Sequence, residues 1–111
     1  MAEITFEEFS RLEIRIGTII DANLNTKAIN PAYKLKIDFG PLGIKISSAQ
    51  ITKNYSSENL IGLQISAVVN FPIKLIAGVK SEVLVLGAYS QNKDVVLLTP
   101  VDPVEDGSLV G

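Results

Sequence analysis

The chain has no cysteine, no histidine and no tryptophan among its 111 residues. Lacking cysteine, it has no disulfide scaffold and no thiol chemistry, and lacking histidine as well it has none of the usual zinc ligands. A Ser-His-Asp triad is excluded, and proton transfer near neutrality would fall to lysine, tyrosine or a carboxylate. Long apolar runs are missing too. Stretches such as residues 83–86 fall far short of the roughly 18 residues that cross a bilayer. Met1-Ala2-Glu3-Ile4 has neither the basic nor the apolar region of a signal peptide. A cytoplasmic location without membrane insertion is the resulting expectation.

Phosphate-binding glycine loops are equally absent. Neither G-x-x-x-x-G-K-[ST] nor G-x-G-x-x-G occurs, and Gly40 and Gly43 lie between two strand-like runs rather than ahead of a helix. Carboxylates gather only near the ends, around Glu7-Glu8 and around Asp102, Glu105 and Asp106, with no pattern that would converge two of them in a cleft. These absences point to a binding protein rather than an enzyme, with no metal and no cofactor.

What is present is apolar. Hydrophobic residues make up 47% of the chain and the mean hydropathy is +0.32, so one domain over 1–111 must place the excess in a core or a subunit interface. The formal net charge is −2, low for a nucleic-acid binder. Its distribution is uneven. Residues 15–93 carry Arg15 and eight lysines against Asp21, Asp38, Glu58 and Glu82, a net +5 between acidic ends.

Thr5-Phe6-Glu7-Glu8 fits a capping box opening a short helix with Phe6 and Phe9 on one side. A period of two then begins at Leu12, placing Ile14, Ile16, Thr18, Ile20 and Ala22 on one face, with Gly17 expected at a bulge. Residues 35–39 and 44–47 read as a hairpin around Gly40-Pro41-Leu42-Gly43. Pairing Phe39 with Ile44 would face Asp38 to Lys45 and Lys36 to Ser47, leaving Ile44 and Ile46 on the apolar side. Ser57 is expected to cap a turn ending at Gly62, residues 63–71 to form a strand stopped by Pro72, and 73–78 to be a loop or single turn. Residues 83–86 and 95–98 read as strands buried on both faces, joined by a turn at Asn92-Lys93-Asp94. About six strands and one or two short helices predict a small, mostly antiparallel β-barrel.

Polar groups fall in two clusters, one around Lys45, Ser47, Ser48, Gln50, Lys53 and Tyr55, the other around Asn70, Lys74, Lys80, Ser81 and Glu82. Lysine neutralises phosphate, serine and the amides bond to phosphate, sugar and base edges, and tyrosine stacks on bases.

The order of the residues is more specific than their chemistry. Leu12-Glu13-Ile14-Arg15-Ile16-Gly17-Thr18-Ile19, Lys34-Leu35-Lys36-Ile37-Asp38-Phe39-Gly40 and Ser47-Ser48-Ala49-Gln50-Ile51-Thr52 resemble the tRNA-binding domain of the endothelial-monocyte-activating-polypeptide-II type. Val69-Asn70-Phe71-Pro72 and Ile76-Ala77-Gly78-Val79-Lys80-Ser81-Glu82-Val83-Leu84-Val85-Leu86-Gly87 look like the stand-alone CsaA type within it. The resemblance covers nearly the whole chain. It implies a mostly β, five-stranded OB-fold barrel with a short N-terminal helix and extra terminal elements that build a homodimer. It also implies binding of tRNA and, for the CsaA type, of unfolded or pre-secretory polypeptides as an export chaperone.

The tRNA contacts expected on this basis are Lys36, Lys45, Ser47, Ser48, Gln50, Lys53, Asn70, Lys74, Lys80 and Ser81, with Glu82 behind them orienting a lysine or capping backbone donors. The expected polypeptide contacts are Ile46, Phe71, Ile73, Leu75 and Ile76. Only Lys74 remains basic in the loop after Asn70-Phe71-Pro72, and Ile46 stands where relatives tend to be polar. Lysine lacks the bidentate phosphate contacts of arginine, so these departures tilt the balance toward a polypeptide ligand. A tRNA-binding role without chaperone activity is the alternative.

Overall fold

The computed structural model describes residues 1–111. Helix α1 (Phe6–Ser10) is followed by β1 (Ile14–Leu24), β2 (Tyr33–Asp38), β3 (Ile44–Ala49), helix α2 (Ser57–Leu60) and β4 (Gln64–Val68). Five short strands complete the chain: β5 (Lys74–Ile76), β6 (Val79–Ser81), β7 (Leu84–Val85), β8 (Gly87–Tyr89) and β9 (Val95–Leu97). The main sheet runs β3-β2-β1-β4-β7, with β5-β6 and β8-β9 as separate hairpins. All pairings are antiparallel, and the sheet curls into the nearly closed five-stranded barrel expected from the sequence.

The N-terminal capping box forms as its residue types dictate. The Glu8 amide donates to Thr5 Oγ1 at 3.1 Å, and the Thr5 amide donates to Glu8 Oε1 at 3.1 Å. Phe6 and Phe9 lie with ring centroids 6.3 Å apart, yet α1 buries no residue at all.

β1 departs from a single alternation. Ile14 and Ile16 are buried, but so is Ile19, whereas Ile20 is exposed. The irregularity lies between Ile19 and Asp21 in the pairing with β2, not at Gly17. Each half of β1 serves a different neighbour: Ile14 to Thr18 pair with β4, and Thr18 to Leu24 with β2. Gly17 and Ile19 face the core on the side opposite Ile14 and Ile16, and the extra residue after Ile19 then passes the inward face to Ala22. Gly17 has another purpose. A Cβ there would lie 2.7 Å from the Phe39 ring, so the missing side chain lets the fully buried Phe39 rest on the strand.

The β2–β3 hairpin is one residue out of the expected register. Asp38 pairs with Ile44, Ile37 with Lys45, Lys36 with Ile46 and Leu35 with Ser47. The loop is closed by a 3-10 turn at Gly40–Leu42, with Gly40 and Gly43 at positive φ. A slip of one residue inverts the strand. Ser47 therefore faces the core, Ile44 and Ile46 face outward, and the Asp38–Lys45 pair does not form; Asp38 accepts instead from the Gly40 amide at 2.8 Å.

Five further corrections concern element ends, burial and strand number. Ser56, not Ser57, caps α2, accepting from the Asn59 amide. β4 stops at Val68, short of Phe71, and residues 73–78 supply β5 and the turn into β6 rather than a loop. The runs at 83–86 and 95–98 are buried on one side only, since Leu84, Val96 and Leu98 are exposed. Short pieces raise the number of strands above the expected six. The turn through Asn92, Lys93 and Asp94 forms as expected, with the Ser90 amide donating to the Asp94 carbonyl at 2.8 Å.

The core collects Ile19, Leu35, Ile37, Phe39, Leu60 and Ile65, all fully buried. Along the other side of β1 runs the C-terminal segment. The Ile16 amide donates to the Ser108 carbonyl, the Gly107 amide to Ile16, and the Val110 amide to Ile14. Thr18 Oγ1 and Gln64 Nε2 both donate to Asp106 Oδ1, fixing the tail across the barrel.

Candidate nucleic-acid interface

The outward face of β2 and β3 is the place where an OB barrel meets oligonucleotides, flanked by the loops after its first and fourth strands. Alternation along β2 sends Leu35 and Ile37 into the core and Lys34 and Lys36 to solvent. Lys34 stands opposite Ser48, and Lys36 opposite Ile46. Asp21 lies beside Lys36 in β1, but its carboxylate accepts from the Ala22 amide and from Asn23 Nδ2. The chain's ion pairs engage only Arg15 and Lys53 among its basic side chains, leaving Lys34 and Lys36 free to meet phosphate.

The β5–β6 hairpin borders this face. Its tip is held by Asn25, whose Nδ2 donates to the Ala77 carbonyl at 3.2 Å, and Lys27 runs past Gly78. Register places Lys74 opposite Ser81 and Leu75 opposite Lys80, so Lys74 and Lys80 project from opposite faces of the hairpin. Lys74 turns toward the barrel and, with Ser48, Phe71, Pro72 and Ile76, lines a recess of about 260 Å³.

The other expected contacts disperse. Lys45 pairs with the core residue Ile37 and so lies on the inward side of β3, near the barrel's end. Gln50 and Lys53 line a separate recess of about 340 Å³ with Asn30, Asn54, Asn92 and Lys93, and Lys53 Nζ approaches Asp94 at 3.9 Å. Lys34 and Lys27, which the sequence reading did not select, stand with Lys36 and beside the hairpin tip. The alternation of Lys34 with Lys36 was the signal that could have found the first of them.

Four polar side chains among the expected contacts are committed within the fold. The buried Ser47 donates its hydroxyl to the Val83 carbonyl at 2.9 Å. Ser81 Oγ accepts from the Ser48 amide at 3.1 Å. Glu82 Oε1 accepts from the Ile46 amide at 3.1 Å, while the Glu82 amide donates to the Ile46 carbonyl at 2.7 Å. Asn70 Oδ1 accepts from the Glu13 amide and its Nδ2 donates to the Arg11 carbonyl. Ser47, Ser81 and Glu82 thus join β3 to the segment entering β7 by side-chain bonds where no strand ladder exists. Asn70 fastens the end of β4 to the chain leaving α1.

The apolar candidates are exposed. Phe71, Ile73 and Leu75 project along the approach to the hairpin, Leu75 with 69% of its surface free, and Ile46 and Ile76 are half-buried. A second apolar area surrounds α1, where Phe6 (81% exposed), Phe9, Leu12 and Leu109 rim a recess of about 390 Å³. No helix is long and apolar enough to cross a membrane.

A barrel of this topology with a lysine-bearing β2–β3 face meets the family model of the tRNA binding domain, tRNA_bind, over residues 14–109. The chain belongs to that family. The chaperone CsaA from Bacillus anthracis superimposes with a TM-score of 0.94 at 54% identity, covering 99% of this chain and 100% of that one. The CsaA chaperone protein from Picrophilus torridus gives 0.92 at 52% identity, over 98% and 100%. Methionine–tRNA ligase from Porphyromonas gingivalis is 32% identical over 108 residues, which is 97% of this chain and 16% of the ligase. The chain therefore spans about one sixth of the length of the curated relatives it matches.

Proposed function

We propose that this chain is a CsaA-like export chaperone that holds unfolded or pre-secretory polypeptides and also binds tRNA, working in the cytoplasm as a homodimer and catalysing no reaction. The observation that carries this reading is end-to-end similarity to two CsaA chaperones, on a chain whose Phe71, Ile73 and Leu75 remain exposed beside lysines. Exposed apolar side chains in sequence suit an unfolded client, because they shield apolar surface the client cannot yet bury. Lys74 and Lys80 beside them would steer acidic segments. The uncovered helix α1 and Leu109 offer the apolar surface for a second copy, which would double a modest basic face.

For RNA, the free lysines Lys34 and Lys36 with Ser48 supply phosphate and hydroxyl contacts. Such a face suits paired RNA, which is recognised mainly by shape, 2′-hydroxyls and phosphates. The family match supports tRNA binding, which the second reading, a tRNA-binding protein without chaperone activity, keeps alone. Light scattering of a chemically denatured precursor protein after dilution separates the two. Stoichiometric protein should suppress aggregation, and suppression should weaken in Phe71→Ser/Ile73→Ser. Aggregation unchanged by the protein would leave only the tRNA reading.

A further inference from the structure

The barrel is closed between β3 and β7 by side chains at one end only, and it opens at the other. Beyond the Ser47 hydroxyl and the Val83 carbonyl, the edges diverge around a trough of about 460 Å³. On one side run Ser48, Ala49, Gln50 and Ile51, on the other residues 84–87.

Both edges carry unused backbone groups. Because Ile46 and Ser48 turn their amides toward Glu82 and Ser81, the Ser48 carbonyl points away from β2 as well. The Gln50 amide lies beyond the end of β3. Leu86 donates to Ser66, so alternation turns the N–H and C=O of Val85 away from β4. None of these four groups has a partner among the chain's hydrogen bonds. The floor and walls between them are apolar, with Ile51, Leu84, Leu86, Tyr89, Val95 and Leu97.

At its far end the trough meets the polar recess, the two sharing Gln50, Ile51, Lys93 and Val95. Charges there are Lys53 and Lys93 against Asp94 alone, a net positive end. At its near end it shares Ser48 and Leu84 with the recess beside Phe71. The seam thus continues the exposed apolar approach to the hairpin.

We propose that this open seam receives an extended stretch of polypeptide, its main chain bonded to Ser48, Gln50 and Val85 and a client carboxylate reaching Lys93. The inference deepens the polypeptide-binding reading above and rests on it. Free strand edges select an extended main chain, since pairing along an edge gives affinity independent of sequence. The edge from Ser48 to Ile51 spans about 10 Å at about 3.3 Å of strand per residue, room for about three residues of an extended peptide. Alternate side chains would face the apolar wall, which suits a client recognised by being unfolded rather than by a motif.

The probe is a fluorescein-labelled hexapeptide of alternating valine and serine closed by aspartate, titrated into the full chain. Two N-methylated forms block amides of one alternation or of the other. A strand held between two edges turns alternate amides to Ser48 and to Val85, so each form should bind about tenfold more weakly than the unmethylated peptide. Amide NMR shifts should centre on residues 48–51 and 84–89. Lys93→Gly should weaken the aspartate peptide, but not its asparagine analogue, by about threefold or more. It should not lower Tm, because Lys93 sits at φ 65 where glycine is unstrained. Binding of either methylated form within about threefold of the unmethylated peptide, or shifts centred on residues 71–76 instead, overturns the seam while leaving the chaperone reading intact. No binding of the hexapeptide alongside bound precursor protein also overturns the seam alone. No binding of either removes both, and an RNA oligonucleotide shifting these same amides in the peptide's place assigns the seam to RNA.

Discussion

Glu82 grips the Ile46 peptide from both sides, accepting from its amide at 3.1 Å and donating its own amide to its carbonyl at 2.7 Å. This reciprocal pair replaces a strand ladder at the point where the barrel closes, on the edge of β3. Glu82→Ala leaves the Ile46 amide without its acceptor and should cost about 1–3 kcal/mol. Glu82→Gln keeps an acceptor oxygen and should cost less. Thermal unfolding measures both, and tRNA affinity of the folded Gln variant should stay within about twofold of the parent.

Asn70 is predicted to be a fastener rather than a ligand contact. Its amide group bonds the Glu13 N–H and the Arg11 carbonyl at 2.9 and 2.8 Å. Asn70→Ala removes both bonds and should destabilise by about 1–3 kcal/mol. Asn70→Asp keeps the acceptor and loses the donor, falling between. Denaturant unfolding gives the ranking. RNA binding measured well below Tm should change little in either variant.

Lys34 and Lys36 are predicted to carry the phosphate contacts of the β2–β3 face. Each alanine substitution should weaken tRNA binding and reduce the slope of log affinity against log salt by about 0.7–0.9. Lys45→Ala, on the inward side of β3, should alter that slope much less. A salt series on the three variants tests the assignment, and equal slopes would place the RNA elsewhere.

Gly17→Ala should destabilise the barrel. The new methyl would meet Phe39 ring atoms and Ile37 Cγ2 at about 2.7 Å, closer than any normal contact. Displacing a fully buried phenylalanine costs about 1–3 kcal/mol. Phe39→Leu in the same chain should recover part of the loss, a coupling that a double-mutant cycle reads directly.

The barrel was legible because its rules are local: the capping box at Thr5 and Glu8, alternation in β2, and glycine between two strands each follow from neighbouring residues. What escaped depended on tertiary arrangement. The 3-10 turn after Phe39 shifted the hairpin by one residue, and that slip alone moved Ser47 inward and Ile46 outward. The bulge near Ile20 lies within the pairing of β1 with β2, where one extra residue of β1 faces its partner, a register that β1's own alternation does not carry. At the candidate site, serine and asparagine looked equally able to bind RNA or backbone. Their partners, Val83 for Ser47 and Arg11 for Asn70, lie tens of residues away in sequence, beyond any motif. The lysines of β2 needed only alternation, and Lys34 could have been selected with Lys36.

The central claim is that this tRNA-binding fold also holds unfolded polypeptide. Fluorescence anisotropy of a labelled, permanently unfolded precursor segment, titrated with the full chain, tests it most directly. The account predicts saturable binding that weakens by about thirtyfold in Phe71→Ser/Ile73→Ser, each exposed side chain contributing about 1 kcal/mol. A flat titration up to about 1 mM protein, a limit near 4 kcal/mol of binding free energy, would contradict it.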